Sequence, residues 1–144
     1  MKLSTRTRYG IRAVLKLAEN YGKGPIQLKI IARDQRISVK YLEQLMAILK
    51  SAGIVSSVRG SKGGYTLIKS PDQIRLSDCF NCLEGHVITV ECVDNDSYCP
   101  RTCDCIAREV WAEVQKAVMG VLQSITLQSL LDKSKHGKNL HYQI

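Results

Sequence analysis

The stretch ISVKYLEQLMAILKSAGIVSSVRGSKGGYTLI, residues 37–68, decides the fold of this 144-residue chain. Ser38 is a favourable N-cap, and the residues after it predict a helix from Val39 to about Ser51. Two strand-like runs follow, residues 54–58 and 65–68, around a glycine-rich turn. The apolar positions of the helix recur on one stripe, formed by Tyr41, Leu42, Leu45, Met46 and Leu49.

Two more helices are predicted before this stretch. Residues 5–21 carry apolar side chains on one helical stripe, and the glycines and proline of residues 22–25 end that helix. A shorter helix follows over residues 28–34. Three helices followed by a glycine-tipped hairpin form the order of a winged helix-turn-helix, so the predicted fold is mainly α with a small β wing, over residues 1–70.

Charge is distributed unevenly along the chain. Residues 1–70 hold 14 Lys and Arg against three acidic residues, a net charge of +11, whereas residues 71–144 hold seven against ten, a net charge of −3. A basic half beside an acidic half suggests that one half meets a polyanion. Together with the winged helix, this field predicts that residues 1–70 bind double-stranded DNA.

The second helix of a helix-turn-helix presents its first residues to base edges in the major groove. Gln pairs with adenine, Glu accepts from the cytosine amino group, and Lys reaches guanine or phosphate. Arg59, at the base of the hairpin turn, suits a minor groove, whose negative potential attracts it. The predicted base-reading residues of the helix are Ser38, Lys40, Glu43 and Gln44.

Further basic residues of this half suit phosphate contacts. Such contacts supply affinity but carry no sequence information. The predicted phosphate contacts are Lys2, Arg6, Arg8 and Lys62.

The chain changes character after a boundary at residues 70–72. Residues 71–105 are predicted to hold a linker helix over 76–83, a strand at 87–90 and a cysteine-rich loop over 91–105. Residues 106–132 are predicted to form a long dimerisation helix and a short C-terminal helix that Thr126 caps, and residues 133–144 a flexible tail.

The long helix carries an apolar seam with a spacing of about 3.5 residues. Such a seam suits pairing with a second helix, and hence a homodimer, although packing onto the protein's own core is the alternative. The predicted interface residues are Trp111, Val114, Val118 and Val121.

Four of the six cysteines, Cys92, Cys99, Cys103 and Cys105, lie within fourteen positions. Without a visible signal peptide, this cluster favours metal binding or redox sensing over disulfides. Three thiolates in one loop suit an iron–sulfur cluster or zinc. A zinc site could use the pairs 79/82 and 99/103, although the cysteines at 79 and 82 fit better as small buried residues. A thiol switch without metal is a third interpretation.

The chain resembles the Rrf2 family of bacterial transcription regulators over residues 1 to about 132. The resemblance rests on MKLSTRTRYGIRAVLKLAE, on YLEQL together with VRGSKGGY, and on the cysteine spacing followed by Trp111. It implies that Cys92, Cys99 and Cys105 ligate a 2Fe–2S cluster that controls which promoters a homodimer binds, with genes for cluster assembly as targets. It also implies that Glu43 changes sequence preference when the cluster is lost.

Three positions depart from the family pattern. The resemblance implies a histidine as the fourth ligand three residues after the last cysteine, but Arg108 stands there and cannot ligate. Nitric-oxide-sensing relatives use an acidic residue where Arg8 stands. The fourth ligand therefore stays open among Cys103, two acidic neighbours (residues 104 and 109) and a group from the partner. Arg36 occupies the turn between the two helices, where relatives place glycine, at some cost in strain.

Several classes of function are not expected. The sequence shows no nucleophile–base pair, no phosphate-binding glycine loop and no carboxylate dyad, so no enzyme is predicted; a redox enzyme that uses the cluster for electron transfer is the alternative. The first residues hold no apolar segment of a signal peptide, and no stretch is long enough to span a membrane. A cytoplasmic location is expected.

Overall fold

A computed structural model of the chain describes residues 2–87 and 90–141. The predicted strand over 87–90 falls partly on residues 88 and 89, which lie outside the described residues. The helices are α1 (Thr5–Glu19), α2 (Leu28–Gln35), α3 (Val39–Ser51), a 3-10 turn (Pro71–Gln73), α4 (Leu76–Leu83), α5 (Glu91–Asp94), α6 (Ile106–Ser124) and α7 (Leu127–His141), and the strands are β1 (Val55–Val58) and β2 (Gly64–Leu67).

The hydrophobic core joins both halves of the chain. The apolar stripe of α3 is buried against α1. Helices α4 and α7, which follow residue 70 in the chain, pack on the same core. Gly10 of α1 permits this close approach, since a Cβ atom there would lie 2.5 Å from Leu83 of α4. Fully buried side chains on these elements include Val14, Leu42, Leu45, Met46, Leu49, Cys79, Leu83 and Leu127.

The turn between α2 and α3 takes the strained form that the family resemblance implies for an arginine at this position. Arg36 ends α2 with φ 54° and ψ 46°, the left-handed region, and it is the only non-glycine residue with positive φ in the described ranges. A side chain in this region costs about 1–2 kcal/mol relative to glycine. Ile37 N then donates to Ala32 O at 3.0 Å, which closes the turn and aims α3.

The wing is a two-stranded antiparallel hairpin. Val55 pairs with Leu67 and Val58 with Gly64, so the strands match the predicted runs to within one residue. Ile26, just before α2, extends the sheet by exchanging backbone hydrogen bonds with Tyr65 at 2.8 and 2.9 Å. The wing is therefore fastened to the helix-turn-helix.

Helix α6 packs on α4 and α5, and the α6–α7 junction returns to the core. Leu76 N donates to Ile125 O at 2.8 Å, and Leu127 N donates to Ile74 O at 3.0 Å. No described helix is long and apolar enough to cross a membrane.

The predicted final helix is too short, and the predicted flexible tail is wrong for residues 133–141. Helix α7 continues to His141, and residues 142–144 lie outside the described residues. Thr126 caps α7 as expected, because its Oγ1 accepts from Ser129 N at 3.1 Å and Ser129 Oγ accepts in return from Thr126 N at 3.1 Å. With its first turns capped and Leu127 buried, the helix has a nucleus from which a polar segment extends at little cost.

Candidate nucleic-acid interface and cysteine loop

The exposed face of α3 is polar and opposes its buried stripe. Ser38 caps the helix, since its Oγ accepts from Tyr41 N at 3.1 Å. Lys40, Glu43 and Gln44 follow on the first two turns, and all three side chains are exposed. The structure therefore brings the four predicted base-reading residues to one surface at the N-terminal end of α3.

An aromatic brace joins α1 to the start of this surface. The rings of Tyr9 and Tyr41 meet edge to face with centroids 6.3 Å apart, and the Arg12 guanidinium lies 5.3 Å from the Tyr9 centroid. Sequence reasoning assigned both tyrosines only to helix stripes. No local signal pairs residues 9 and 41, because the contact depends on the crossing of two helices.

The wing presents its basic residues at an exposed turn. Arg59 and Lys62 are both exposed, one on each side of Gly60, whose φ is 112°. Two side chains hold this turn and its strand toward the helices: Gln27 Nε2 donates to Ser61 O at 3.2 Å, and Lys50 Nζ donates to Ser57 Oγ at 2.8 Å. Sequence reasoning missed these two anchoring residues, which carry no motif.

The N-terminal basic residues divide into two kinds. Lys2 and Arg8 are exposed, as phosphate contacts require. Arg6 is also exposed, but its Nε donates to Leu83 O at 2.7 Å. Arg6 therefore ties α1 to the C-terminal end of α4, a role that its sequence position did not indicate.

Glu84 completes this junction. Its carboxylate accepts from Ser4 Oγ at 2.6 Å and from Ser4 N at 3.2 Å, and it forms a further short hydrogen bond with the buried Thr7 hydroxyl. The hydrogen bonds from Ser4 and then Thr7 hold the pKa of Glu84 below its usual value. The anionic carboxylate thus anchors the first turn of α1, which carries Arg8, on the segment that leads to the cysteine loop.

The cysteine loop holds four free thiols at different depths. Cys92 lies on α5, Cys99 in the turn that follows and Cys105 at the N-cap of α6, and all three are half-buried. Cys103 is exposed. Cys103 and Cys105 line one pocket of about 300 Å³ together with residues of the first turns of α6.

The loop thiols are the kind of ligand that an iron–sulfur cluster requires, but they are not arranged around a common point. Soft thiolates suit such clusters, and the loop supplies them. Within residues 2–87 and 90–141, however, no three His, Cys, Asp or Glu side chains lie close enough together to hold a metal ion. Metal binding would therefore require the loop to draw its thiols together.

The second cysteine pair belongs to the core. Cys79 is fully buried, and this burial raises the pKa of its thiol to about 12. Burial likewise raises the pKa of the Cys82 thiol, which donates to Cys79 O at 3.2 Å. Because a zinc ligand must be a thiolate, these two residues suit packing rather than a zinc knuckle.

Helix α6 exposes an apolar stripe along one side. Of the predicted interface residues, Val118 is half-buried, whereas Trp111, Val114 and Val121 are exposed, Val121 to 57%. The exposed apolar stripe keeps Val114 and Val121 of the predicted set and adds Ile106, Val110 and Ala117, while α6 also packs on the protein's own α4 and α5. Its members, at spacings of four, four, three and four, are Ile106, Val110, Val114, Ala117 and Val121.

Comparisons with known proteins find relatives over nearly the whole length of the chain. The model of the Rrf2 family, described as an iron-dependent transcriptional regulator, matches residues 3–133. Protein rrf2 of Nitratidesulfovibrio vulgaris is 41% identical over 140 residues, which cover 96% of this chain and 93% of that protein. The transcriptional regulator CymR of Bacillus subtilis is 41% identical over 130 residues, covering 90% of this chain and 89% of that protein.

Solved structures show the same likeness. The structure of IscR from T. potens superposes with a TM-score of 0.78 at 38% identity, covering 95% of this chain and 90% of that chain. Relatives of both the IscR and the CymR kind are thus similar to this chain over nearly its full length.

Proposed function

The chain belongs to the Rrf2 family of transcriptional regulators, which are not enzymes, and from this premise we propose that it acts as a homodimer whose choice of promoter depends on a 2Fe–2S cluster. The observation that carries the DNA-binding part is the exposure of both the polar face of α3 and the wing turn with Arg59, within a half of net charge +11. Residues 1–70 form the DNA-binding unit of this proposal.

Two such units read an operator with two-fold symmetry. Each α3 enters a major groove, and each wing brings Arg59 to an adjacent minor groove. The recognition helices then sit about 34 Å apart, one turn of the duplex. Lys2, Arg8 and Lys62 contact phosphates, which supply affinity for any sequence, whereas Lys40, Glu43 and Gln44 supply the preference.

The apolar stripe of α6 supports the homodimer. Exposed valines at helical spacing form an apolar surface. Covering this surface with a second apolar surface removes it from water and so stabilises the pairing. A second copy of α6 offers the same stripe, so the contact is self-complementary, as two-fold symmetry requires.

The cysteine loop supports the cluster. Cys92, Cys99 and Cys105 are the half-buried thiols that would hold it, and the loop packs on α6 next to the proposed dimer contact. When bound, such a cluster supplies a cross-link between distant points of the loop that oxidation or iron shortage removes. Genes for cluster assembly are the proposed targets, which would give feedback control.

A thiol switch without metal is the second candidate. The positions of the loop thiols favour this candidate, because no three potential metal ligands in the described part of the chain lie around one point. The exposed Cys103 is the most accessible of the loop thiols for oxidation. A zinc-stabilised module is less well supported because the core position of Cys79 removes one of its ligand pairs.

Anaerobic purification with iron and sulfide assay tests the cluster directly. A 2Fe–2S protein is red-brown and absorbs visible light, and Cys92→Ala, Cys99→Ala and Cys105→Ala are each expected to lose both iron and colour while keeping their helical content. The fold should survive because none of the three thiols is in the core cluster. Cys79→Ala and Cys82→Ala serve as controls that keep the cluster.

Full iron and sulfide in any one of the three loop variants would remove that cysteine from the ligand set. A colourless wild type that responds to oxidant by changing its DNA affinity would establish the thiol switch. Loss of metal from Cys79→Ala or Cys82→Ala would instead restore the zinc interpretation.

Glu43→Ala is expected to broaden the range of sites that the cluster-free protein binds. The Glu43 carboxylate is exposed on the base-reading face, where it accepts from cytosine but repels phosphates and the acceptors of guanine and thymine. Its removal should relieve about 1–3 kcal/mol at the affected base pair. Competition binding across operator variants measures the ranking of sites for both proteins.

Glu19→Ala is the matched control, because it removes an equal charge from an exposed position of α1. It should shift all affinities together. An unchanged ranking in Glu43→Ala, with only the overall affinity altered, would show that Glu43 does not discriminate.

A further inference from the structure

Arg108 connects the cysteine loop to α6. It lies on the first turn of that helix, three residues after Cys105. Its Nε donates to the backbone carbonyl of Cys92 at 2.7 Å, and its Nη2 forms an ion pair with Asp96. The side chain is only 28% exposed, so the guanidinium lies between the helix and the start of the loop.

The chemistry of a guanidinium suits this holding role. It stays protonated, presents only donors and has no lone pair for a metal. Its planar fork reaches two acceptors at once, here the carbonyl of residue 92 and the carboxylate of residue 96. Position 108 can therefore fasten the loop but cannot ligate iron.

Two further hydrogen bonds extend the contact. Gln115 Nε2, two turns further along α6, donates to Asp94 Oδ1 at 2.7 Å. Within the loop, Thr102 Oγ1 donates to Asp96 O at 2.7 Å, which ties the later turn to the segment that Arg108 holds. The loop is thus docked as a unit, in an arrangement where its thiols do not converge on a metal position.

We propose that Arg108 is a latch that fastens the cysteine loop to α6 in the metal-free chain and thereby opposes cluster assembly. A cluster held by Cys92, Cys99 and Cys105 needs three ligands around one point, and the described residues offer no such group, so we expect loading to require the loop to leave the arrangement that Arg108 holds. The iron level at which the regulator loads is then set partly by Arg108. This role in regulation rests on the proposed function, whereas the latch itself is a property of the metal-free protein.

The two bonds of Arg108 contribute unequally. Asp96 is 85% exposed, and an ion pair with such a partner is largely screened by water. The hydrogen bond to the Cys92 carbonyl is charge-assisted and more sheltered, so it carries most of the effect. Asp96→Asn should therefore change the latch little, and Arg108→Ala should open it.

Alkylation of the metal-free protein by iodoacetamide tests the latch. In Arg108→Ala, the half-buried Cys92 should react about tenfold faster than in wild type, as expected for loss of one charge-assisted hydrogen bond. Cys82, half-buried on α4 and outside the loop, is an internal standard whose rate should not change. Arg108→Lys keeps the charge but loses the fork and should be intermediate. Arg101→Ala changes an exposed arginine of the loop itself and should match wild type.

Anaerobic titration with ferrous iron and sulfide, followed by visible absorption, tests the opposition to assembly. Arg108→Ala should reach half-loading at roughly a tenth of the iron that wild type requires. Far-UV circular dichroism confirms that each variant is folded, and Arg108→Lys gives a second variant if the alanine form is not.

The outcomes separate the two proposals. An unchanged Cys92 alkylation rate in Arg108→Ala overturns the latch, whatever the iron content. Faster alkylation in a protein that never takes up iron keeps the latch and overturns the cluster proposal. Faster alkylation with a higher iron requirement shows that Arg108 organises the loop for the cluster, which contradicts the opposition proposed here.

Discussion

Gly64→Ala is expected to destabilise the protein by about 3 kcal/mol and to release the wing. Gly64 has φ 152°, and a Cβ atom there would overlap the Ile26 carbonyl and lie 2.8 Å from Gln27 N. The added methyl group would thus clash with the backbone at Ile26, the residue that two hydrogen bonds join to Tyr65 of the wing. Backbone strain of about 1–2 kcal/mol adds to about 1 kcal/mol for each weakened bond.

Urea denaturation measures this loss, and two neighbouring glycines separate its causes. Gly60 has φ 112° but open space around a Cβ, so Gly60→Ala isolates backbone strain. Gly63 has no positive φ, but its Cβ would overlap the Val58 carbonyl oxygen and lie 2.9 Å from the carbonyl carbon of Arg59, so Gly63→Ala isolates the overlap. If Gly64→Ala lowers the free energy of unfolding by no more than Gly60→Ala does, the contact with Ile26 does not contribute to the loss of stability.

A Val114→Asp/Val121→Asp double variant is expected to be monomeric and to lose at least about 100-fold in affinity for a full operator. Both valines lie on the exposed stripe of α6, and a carboxylate buried in an apolar interface costs several kcal/mol. A dimer gains from binding its second half-site intramolecularly, and a monomer forfeits that gain of two or more orders of magnitude. Affinity for an isolated half-site should stay unchanged.

Analytical ultracentrifugation and titration against full and half operators check this expectation. Gln123→Asp adds the same charge to an exposed position of α6 on the side away from the stripe, and it should remain dimeric. A double variant that sediments as a dimer would place the interface elsewhere on the molecule. A loss of half-site affinity would indicate damage to the DNA-binding unit.

Local patterns were enough to predict most elements. The stripe of α3, its Ser38 cap and the glycine-tipped hairpin all appear where the sequence indicates them, to within about two residues. These features depend on neighbours a few positions apart, so a window of sequence contains their causes. The left-handed turn at Arg36 is different, because it is expected from the resemblance to relatives that place glycine there and not from the residue type itself.

The end of the chain shows where such patterns fail. Residues 133–138 are polar and suggested a loose tail, yet α7 passes through them. The helix is stable because Leu127 and Leu131 are buried in a core supplied by α1 and the segment around Ile74. The polar residues themselves do not indicate a helix, since the contacts that stabilise it come from residues far away in the sequence.

The sequence by itself determined the winged helix-turn-helix, the exposed set at the start of α3 and the crowding of thiols into one loop, because each is a matter of residue type and short spacing. Only the tertiary structure decided that Arg6 binds the carbonyl of Leu83, that Val118 of the predicted interface set is half-buried whereas Val114 and Val121 are exposed, and that Arg108 holds the loop. Each of these depends on which side of a helix the rest of the chain covers. That choice is made by the packing of the whole core, which no single segment contains.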